Sequence, residues 1–294
     1  MTAKKPACFI CRTSLDKMRV FHEGDGQPIG LYSCGQCRSE MFYPQPSDEL
    51  LMAEYRNYYS RRTRFTGEPF AKEAFFKDLL AANPSVIPGK KAFDALELGS
   101  GEGDFVKAFN SLYPGASITA VEMNAEGAEN FKKLKCRHVA ASIEDFLGSC
   151  RESYDVIFMF DVLEHLRSPV DTLACAASLL RPGGKICLTA PLAGSGLHRL
   201  AGRLWPQYKL EHLFYCSKEA FVRMGGRLGL TVREVSPLSK KLPISYLLSV
   251  GYHFGPRAFS KITACVTRLM PRSLYESRIS LPFGEAFVVY EKKD

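Results

Sequence analysis

The stretch 92–104, with the sequence AFDALELGSGEGD, constrains the fold of this chain more than any other segment. Its first half is apolar and predicts a short buried strand, and Gly99, Gly101 and Gly103 follow at alternate positions. The amphipathic run 105–112 predicts a helix directly after them. This order of strand, tight turn and helix start is typical of α/β proteins that bind a ligand at the turn, although a plain tight turn is an alternative.

Acidic residues around the turn indicate which ligand it suits. Glycines let backbone N–H groups approach a ligand closely, at the positive end of the following helix. Glu122 ends the next predicted strand, at 116–124, where nucleotide-binding α/β units place the carboxylate that accepts the ribose hydroxyls. Glu97 lies two residues before Gly99. A carboxylate at that point suits a ligand with an ammonium group better than one with a pyrophosphate.

Together these residues resemble the cofactor loop of class I S-adenosylmethionine (SAM)-dependent methyltransferases, in the motifs ELGSGEG and VEM. The resemblance continues through SIEDF, YDVIFMFDVLEHL and LLRPGGKICLTAP, and covers residues 75–236 and the last strand. It implies an α/β fold, with a Rossmann-like seven-stranded sheet that has helices on both faces, and SAM as cofactor. The implied cofactor-binding residues are Glu97, Gly99, Ser100, Gly101, Gly103, Glu122, Met123, Ser142, Ile143 and Asp161.

One position departs from that family's pattern. The family often carries an acidic residue at the exit of the third strand, where it binds the adenine amino group, and Ser142 stands there in this chain, followed by Ile143. Glu144 and Asp145 are alternative partners for the adenine.

The apolar stretch 155–160 predicts a central strand that delivers Asp161, Glu164 and His165 to the ligand-binding edge of the sheet. Methyl transfer needs alignment of the acceptor and, for a hydroxyl, removal of a proton, which an imidazole near its ordinary pKa does well. We therefore expect Glu164 and His165 to be catalytic, with a structural cap as the alternative role of His165. The motif also resembles the E-x-x-E-H of ubiquinone-pathway and small-RNA 2′-O-methyltransferases, which implies a divalent metal at Asp161, Glu164 and His165 as a further alternative.

His212 is the second candidate base. It lies in EHLFYCS, at 211–217, which resembles a stretch that borders the acceptor site in this family. In sugar C-methyltransferases with a similar zinc knuckle, the histidine of that stretch lies at the chemistry. A hydrogen bond from His212 to Glu164 or to a backbone carbonyl is the alternative interpretation.

Two C-x-x-C pairs near the N-terminus, Cys8 with Cys11 and Cys34 with Cys37, are separated by 22 residues. Four thiolates at this spacing predict a tetrahedral zinc site, and a module this short needs such a staple in order to fold. Because all four ligands are protein groups, the zinc is predicted to be structural. His22 is an alternative to one thiolate. The six other cysteines are scattered singly, mostly in apolar segments, and are expected to be reduced.

The predicted domain plan has three parts: a zinc ribbon at 1–46, linking or cap helices at 47–91, and a methyltransferase domain at 92–294. The linking region carries Tyr55, Tyr58 and Tyr59, which either pack or approach the substrate. The last part includes a helical insertion at 237–283, which has no acidic residue before 276. Its basic character predicts a lid over the acceptor site or, as an alternative, contact with an anionic membrane.

The net charge of +8 and the pI near 8.9 are mild. They are compatible with an acidic partner or with a soluble surface. Residues 12–33 carry few cations and no basic strand with interleaved aromatics, so we do not expect nucleic acid as a partner. The ribbon is instead expected to cover the active site or to hold a homodimer contact. No targeting or spanning segment is recognisable, which predicts a cytoplasmic protein, with peripheral contact at the inner face of the membrane through 237–275 as an option.

The sequence therefore predicts an enzyme that moves the methyl group of SAM to a hydroxyl, in preference to a carbon, of a small molecule or a lipid-linked sugar. An RNA methyltransferase is one alternative. An inactive SAM-binding scaffold that recruits a partner through the ribbon is the other.

Overall fold

The computed structural model describes residues 6–22, 28–54, 72–124, 128–245, 247–248, 263–268 and 270–293. Its strands are β1 (Asp16–His22), β2 (Ile29–Ser33), β3 (Glu40–Tyr43), β4 (Asp94–Leu98), β5 (Ser117–Val121), β6 (Arg137–Val139), β7 (Tyr154–Phe160), β8 (Leu180–Pro191), β9 (Phe214–Tyr215), β10 (Leu230–Pro243) and β11 (Arg278–Lys292). Its helices are α1 (Lys72–Ala82), α2 (Asp104–Leu112), α3 (Ala128–Phe131), α4 (Ile143–Ser149), α5 (Pro169–Ser178), α6 (Gly196–Ala201), α7 (Lys218–Arg227) and α8 (Arg272–Tyr275).

The larger sheet has the strand order β10-β11-β8-β7-β4-β5-β6. Its five strands from β8 to β6 are parallel, and β11 lies antiparallel between β8 and β10. Leu79 of α1 and Phe105 of α2 pack on one face, whereas Phe146 of α4 and Leu173 of α5 pack on the other. Since both faces are covered, the central strand β7 is almost wholly apolar, as predicted.

The smaller sheet joins the ribbon to the rest of the chain. Its order is β1-β2-β3-β9, with all neighbours antiparallel. Strands β1 to β3 lie within the predicted ribbon, but β9 comes from residues 214–215, more than 170 positions later. The ribbon is therefore paired, strand to strand, with the segment that follows His212.

The last two strands are longer than the sequence predicted. Residues 237–243 and 278–283, expected in a helical insertion, belong to β10 and β11 and pair from Leu230 with Lys292 to Pro243 with Arg278. The reason is a period-two pattern in which Leu238, Lys240 and Leu242 lie on one side of β10, with both leucines buried. Between the strands, residues 263–268 and 272–275 are helical, as expected.

The predicted linking helices at 47–91 fall only partly within the described residues. Residues 48–54 are helical, and α1 lies in the same predicted region. Tyr55, Tyr58 and Tyr59 lie outside the described residues. Across the described ranges, no helix combines the length and the apolar content that a membrane span requires.

Candidate active site

The glycine loop connects β4 to α2 and is anchored on the neighbouring strand. The amides of Gly99 and Ser100 both donate to the carbonyl oxygen of Val121, at 2.9 and 3.0 Å. Gly99 has φ +78°, and a Cβ at this position would lie 2.5 Å from Cγ2 of Val162. Only glycine fits there, because both the backbone conformation and the close approach exclude a side chain. The loop therefore lies directly against the segment that follows β7.

Glu122 closes over this loop. Its Oε2 accepts a hydrogen bond from the amide of Gly101 at 2.7 Å, and its Oε1 accepts one from the amide of Asn124 at 2.8 Å. Gly101 has φ +52°, and no atom of the described residues lies within 4 Å of the position that its Cβ would take. Met123 is exposed beside it. The structure thus brings Glu122 and the loop together and leaves space on the outer side of Gly101.

Glu97 is the buried carboxyl group of the site. It is 3 % exposed, and its Oε2 has no hydrogen-bond partner among the described residues. Burial raises its pKa to about 8. An unpaired buried carboxyl group is costly, and a cationic group beside it would remove that cost. The orphaned oxygen of Glu97 and the open side of Gly101 therefore fit a ligand that carries an ammonium group, as SAM does.

Ser142 has a local role that explains its departure from the family pattern. Its hydroxyl accepts from the amide of Asp145 at 3.0 Å and donates to the carboxylate of Asp145 at 2.7 Å, which caps α4. Ile143 is the first residue of that helix. Contact of Ser142 and Ile143 with adenine stays a prediction.

Asp161 is engaged by residues that the sequence analysis did not connect to the site. It has φ +55°, and its Oδ1 accepts a 2.7 Å hydrogen bond from the hydroxyl of Thr189. Nζ of Lys240 lies 3.7 Å from Oδ2 of Asp161 and 2.5 Å from Oε2 of Glu285. Burial disfavours the charged form of Lys240, but the two carboxylates outweigh it and raise its pKa. The period-two pattern of β10 is the sequence feature from which the position of Lys240 beside Asp161 could have been predicted.

A second cluster forms from Glu164, His165 and His212. Glu164 and His165 lie in the 3₁₀ turn Leu163–His165, directly after the tip of β7. One candidate ligand atom from each of the three residues lies within 4.8 Å of the others. The two imidazole rings meet edge to face, with centroids 4.8 Å apart. Of the three residues in the predicted metal alternative, Glu164 and His165 lie in this cluster, whereas Asp161 is held by Thr189 and Lys240.

Hydrogen bonds fix the tautomers of both histidines. Nδ1 of His165 lies 2.9 Å from the carbonyl oxygen of Glu211, and Nδ1 of His212 lies 2.9 Å from that of Gln207. A carbonyl oxygen only accepts, so each Nδ1 carries the proton and each Nε2 is the basic atom of the neutral ring. The hydrogen bond from Nδ1 of His212 to the carbonyl oxygen of Gln207 is the backbone contact that the sequence predicted as the alternative to a catalytic role.

The pKa values in this cluster differ from the expected near-neutral histidine. Burial lowers the pKa of His165 to about 4 and lowers that of His212 well below its ordinary value. Burial also raises the pKa of Glu164, whose Oε2 has no hydrogen-bond partner within the described residues. Neutral imidazoles and a carboxylate oxygen without a partner form a donor set that suits a divalent cation. The expectation of an imidazole that titrates near neutrality is wrong for both residues.

The four cysteines of the ribbon also converge. Their Sγ atoms lie within 4.8 Å of one another. The amide of Cys11 points to Sγ of Cys8 at 3.4 Å, and the amide of Cys37 points to Sγ of Cys34 at 3.5 Å. These two equivalent turns aim all four sulfur atoms at one point, which fits the zinc site predicted from the sequence.

The backbone of both knuckles repeats the same conformation. Arg12 and Arg38 follow the second cysteine of each pair with φ of +62° and +57°. Their amides donate to the carbonyl oxygens of Cys8 and Cys34, at 2.9 and 2.8 Å. Two short loops with matching geometry are typical of a structural metal site that is closed by protein ligands.

The model of the family described as "Methyltransferase domain" matches residues 53–235, which is more than half of the chain. The chain belongs to this family. The prediction of a SAM-dependent methyltransferase is thereby confirmed.

Curated relatives of this methyltransferase include ubiquinone biosynthesis O-methyltransferases. The enzyme of Aeromonas salmonicida is 25 % identical over 177 residues, which is 53 % of this chain and 73 % of the relative. That of Vibrio vulnificus is 28 % identical over 127 residues, 39 % of this chain and 53 % of the relative. The chain thus spans about half the length of the Vibrio relative.

Solved structures agree with the fold. A SAM-dependent methyltransferase of Thermotoga maritima superposes with a TM-score of 0.50 at 17 % identity, over 83 % of this chain and 98 % of the other. The YcgJ protein of Bacillus subtilis gives a TM-score of 0.51 at 14 % identity, over 75 % and 99 %. At this identity the likeness concerns the fold, and it confirms the predicted Rossmann-like architecture.

Proposed function

We propose that this methyltransferase transfers the methyl group of SAM to a hydroxyl group of its acceptor. The observation that carries the proposal is the cluster of Glu164, His165 and His212 next to the glycine loop, through the contact of Gly99 with Val162. A hydroxyl is a poor nucleophile until its proton is removed or its oxygen is polarised, and this cluster offers groups that do either. The curated relatives, which are O-methyltransferases, support the same class of acceptor.

Cofactor binding is assigned to the tips of β4 and β5. SAM supplies an electrophilic methyl group when bound. Glu97 would pair with the ammonium group of its amino-acid tail, next to Gly99, and Glu122 would accept the two ribose hydroxyls. The main chain at Ser100 and Gly103 and the side chains of Met123, Ser142, Ile143 and Asp161 complete the proposed contacts.

The acceptor would lie between that cofactor and the histidines. Its oxygen would bond to the methyl carbon as the carbon–sulfur bond of SAM breaks with its electron pair on sulfur, and the hydroxyl proton would pass to Nε2 of His165 or of His212. His165 and His212 suit this role because their Nδ1 protons are held by backbone carbonyls. An imidazolium beside Glu164 would favour the ionised form of this carboxyl group, which would in turn stabilise the imidazolium.

Because its pKa is low, the imidazole of His165 is a weak base near neutral pH. We therefore propose that the cluster also activates the hydroxyl in a second way. Glu164, His165 and His212 would hold a divalent cation, which would polarise the acceptor hydroxyl. The ribbon zinc would be held by Cys8, Cys11, Cys34 and Cys37 and has no part in the chemistry, since its ligands are all protein groups. A lipid-linked sugar as acceptor, membrane contact through 237–275 and a homodimer contact remain predictions.

The test is an assay of S-adenosylhomocysteine (SAH) release by the full chain with matched acceptors. The set contains a catechol, its dimethyl ether, the corresponding diamine and dithiol, a sugar with and without a polyprenyl chain, and a structured RNA. We expect SAH with at least one hydroxyl acceptor and none with the ether. Transfer only to nitrogen, carbon or sulfur, including the atoms of an RNA base, would contradict the proposal, whereas transfer to a ribose hydroxyl would identify RNA as the hydroxyl acceptor. The absence of transfer to any of these, with intact SAH binding, would favour the scaffold instead.

Paired histidine variants sharpen this assay. His212→Asn keeps a nitrogen donor for the carbonyl oxygen of Gln207 but removes the Nε2 atom, whereas His212→Gln keeps a nitrogen near the Nε2 position. If His212 acts through Nε2, His212→Asn loses at least about 100-fold in kcat. Equal activity of wild type and His212→Asn would show that only the contact with Gln207 matters.

A further inference from the structure

The ribbon is joined through its backbone to the catalytic cluster. Strand β3 pairs with β9, with Glu40 opposite Tyr215 and Met41 opposite Phe214. One position further on, the amide of Phe42 donates to the carbonyl oxygen of Leu213 at 3.0 Å. The amide of Leu213 in turn donates to the carbonyl oxygen of Glu164 at 2.8 Å. One buried residue, Leu213, therefore connects the ribbon to the turn that carries Glu164.

The C-terminal end of the segment 212–217 is hydrogen-bonded to the turn that contains Cys34 and Cys37. The hydroxyl of Ser217 donates to the carbonyl oxygen of Cys37 at 2.5 Å and accepts from the amide of Ala220 at 3.1 Å, which caps α7. Ser217 is 3 % exposed. Since Cys37 is a predicted zinc ligand, the segment from His212 to Ser217 is held by the ribbon at both ends.

A side-chain link holds the neighbouring segment. Glu40, on β3, is 5 % exposed, and its Oε2 accepts a 2.5 Å hydrogen bond from the hydroxyl of Tyr208. Nε2 of His198 lies 2.8 Å from that hydroxyl and 3.3 Å from Oε1 of Glu40. Nδ1 of His198 accepts from the amide of Gly194 at 2.9 Å, so the proton is on Nε2 and is donated toward Tyr208. A carboxylate of the ribbon thus fixes the stretch 194–208.

The cofactor half of the site has different anchors. The amides of Gly99 and Ser100 are held by Val121, and that of Gly101 is held by Glu122. These residues belong to β4, β5 and the turns that follow them. The two halves of the site therefore depend on different parts of the fold.

We propose that the ribbon is one wall of the acceptor site. It sets the position of His212 and Glu164 through Leu213, and the position of 194–208 through Glu40, whereas cofactor binding does not depend on it. Glu40 and Ser217 are positioning residues in this account, and the metal centre serves to keep their strand and knuckle rigid. The assignment of these segments to the acceptor rests on the proposed function.

Hydrogen–deuterium exchange on the full chain tests the proposal without an acceptor. Zinc-loaded protein is compared with protein treated with a chelator, in peptides that cover 194–208, 209–217 and the glycine loop at 97–104. We expect exchange of the Leu213 amide to rise at least about tenfold on zinc removal, with changes below about twofold in the loop and in SAH affinity. Protection of 209–217 that survives the loss of zinc would overturn the proposal.

Variants of Glu40 cover the case in which zinc removal unfolds the whole chain. Glu40→Ala removes the acceptor of the Tyr208 hydrogen bond, Glu40→Gln keeps an acceptor oxygen, and Glu129→Ala removes an exposed glutamate of α3 as the matched control. Only Glu40→Ala is expected to speed exchange at 194–208, by about tenfold, with unchanged SAH affinity and with rescue by Glu40→Gln. Equal exchange in Glu40→Ala and Glu129→Ala would refute the link.

The same variants separate this proposal from the proposed function. With an active acceptor, Glu40→Ala raises the KM for the acceptor or lowers kcat, and leaves the KM for SAM unchanged. If no hydroxyl acceptor is methylated but the exchange results hold, the proposed function fails and the coupling of ribbon and wall stands. A Glu40→Ala variant that loses SAH binding would overturn the division of the site into two halves.

Discussion

The amide of Gly101 lies 2.7 Å from Oε2 of Glu122, so the acidic tip of β5 is bound to the glycine loop after β4. This contact joins two strand tips whose sequence positions are 21 residues apart. It places a carboxylate beside backbone amides at the edge of the sheet, where parallel α/β sheets bind their ligands. The account of cofactor binding depends on this relationship.

Glu122→Ala is expected to weaken SAH binding by roughly 30-fold or more, because hydrogen bonds to a charged group contribute about 1.5–3 kcal/mol each. Isothermal titration calorimetry measures the change. Glu129→Ala, which removes an exposed glutamate of α3, is the matched control and should leave the affinity unaltered. An affinity that is equal in wild type and Glu122→Ala would refute the ribose assignment.

SAH binding is expected to release close to one proton from Glu97 near pH 7. The ligand-free protein keeps this group protonated because burial raises its pKa to about 8, and an ammonium group beside it would favour the carboxylate. Calorimetric titrations in buffers with different ionisation enthalpies count the protons. Glu97→Gln should abolish this release, and a proton count that is the same in Glu97→Gln would exclude Glu97 as the source.

The raised pKa of Glu97 also predicts that the stability of the ligand-free protein depends on pH. In the folded state the carboxyl group holds its proton up to about pH 8, whereas in the unfolded chain it loses the proton near 4.5. The folded state therefore binds more protons between these values, so the free energy of unfolding falls as the pH rises through them. Denaturant unfolding at several pH values measures this slope. Glu97→Gln should flatten it, and an identical slope in both proteins would contradict the raised pKa.

Sequence reasoning reached the cofactor half of the site because that half is local. Glu97, the glycines and Glu122 lie within two adjacent βα units, and their spacing in sequence fixes their spacing in space. The convergence of the four cysteines was predictable for the same reason, since each C-x-x-C pair closes one short turn. The domain boundaries were harder to predict, because the fourth strand of the ribbon's sheet, β9, comes from residues 214–215.

The rest of the candidate site depends on contacts between residues far apart in sequence, which no local pattern predicts. Lys240 reaches Asp161 because β10 extends to Pro243, and Glu40 reaches Tyr208 because the ribbon packs on 194–208. The low pKa of His165 follows from burial, which depends on the packing of the whole domain. Composition and spacing indicate which residue types are available for a site, but they do not predict these tertiary contacts.

Lys240→Met is expected to destabilise the protein by about 3 kcal/mol, because it leaves Asp161 and Glu285 without their counter-ion. The neighbouring lysine is the control: Lys241→Met breaks an exposed pair with Asp78 and should cost less than about 1 kcal/mol. Urea unfolding measures both. Adding Glu285→Gln to Lys240→Met should recover part of the loss, and equal costs for the two lysine variants would contradict the buried network.

The pH profile of methyl transfer should lack an inflection near 6.5, the ordinary pKa of histidine. Burial lowers the pKa of His165 to about 4 and that of His212 well below its ordinary value, so both rings are neutral across the physiological range. The measurement is kcat/KM for the acceptor from pH 5 to 9. An inflection near 6.5 that disappears in His212→Gln would show a titratable base at ordinary pKa.

Elemental analysis should find one zinc per chain that resists mild chelation, held by the four cysteines. Cys34→Ser should lose it. If the cluster of Glu164, His165 and His212 also holds a divalent cation, a second equivalent binds in wild type and is absent in His212→Asn. A second equivalent that persists in His212→Asn would place that cation elsewhere.

A crystal structure of the full chain with SAH tests the central claim most directly. The account predicts that the ligand lies across the tips of β4 and β5, with its amino-acid tail at Glu97 and Gly99 and its ribose hydroxyls on the carboxylate of Glu122. Crystals in which SAH binds elsewhere, or in which these strand tips stay empty at saturating SAH, would contradict it.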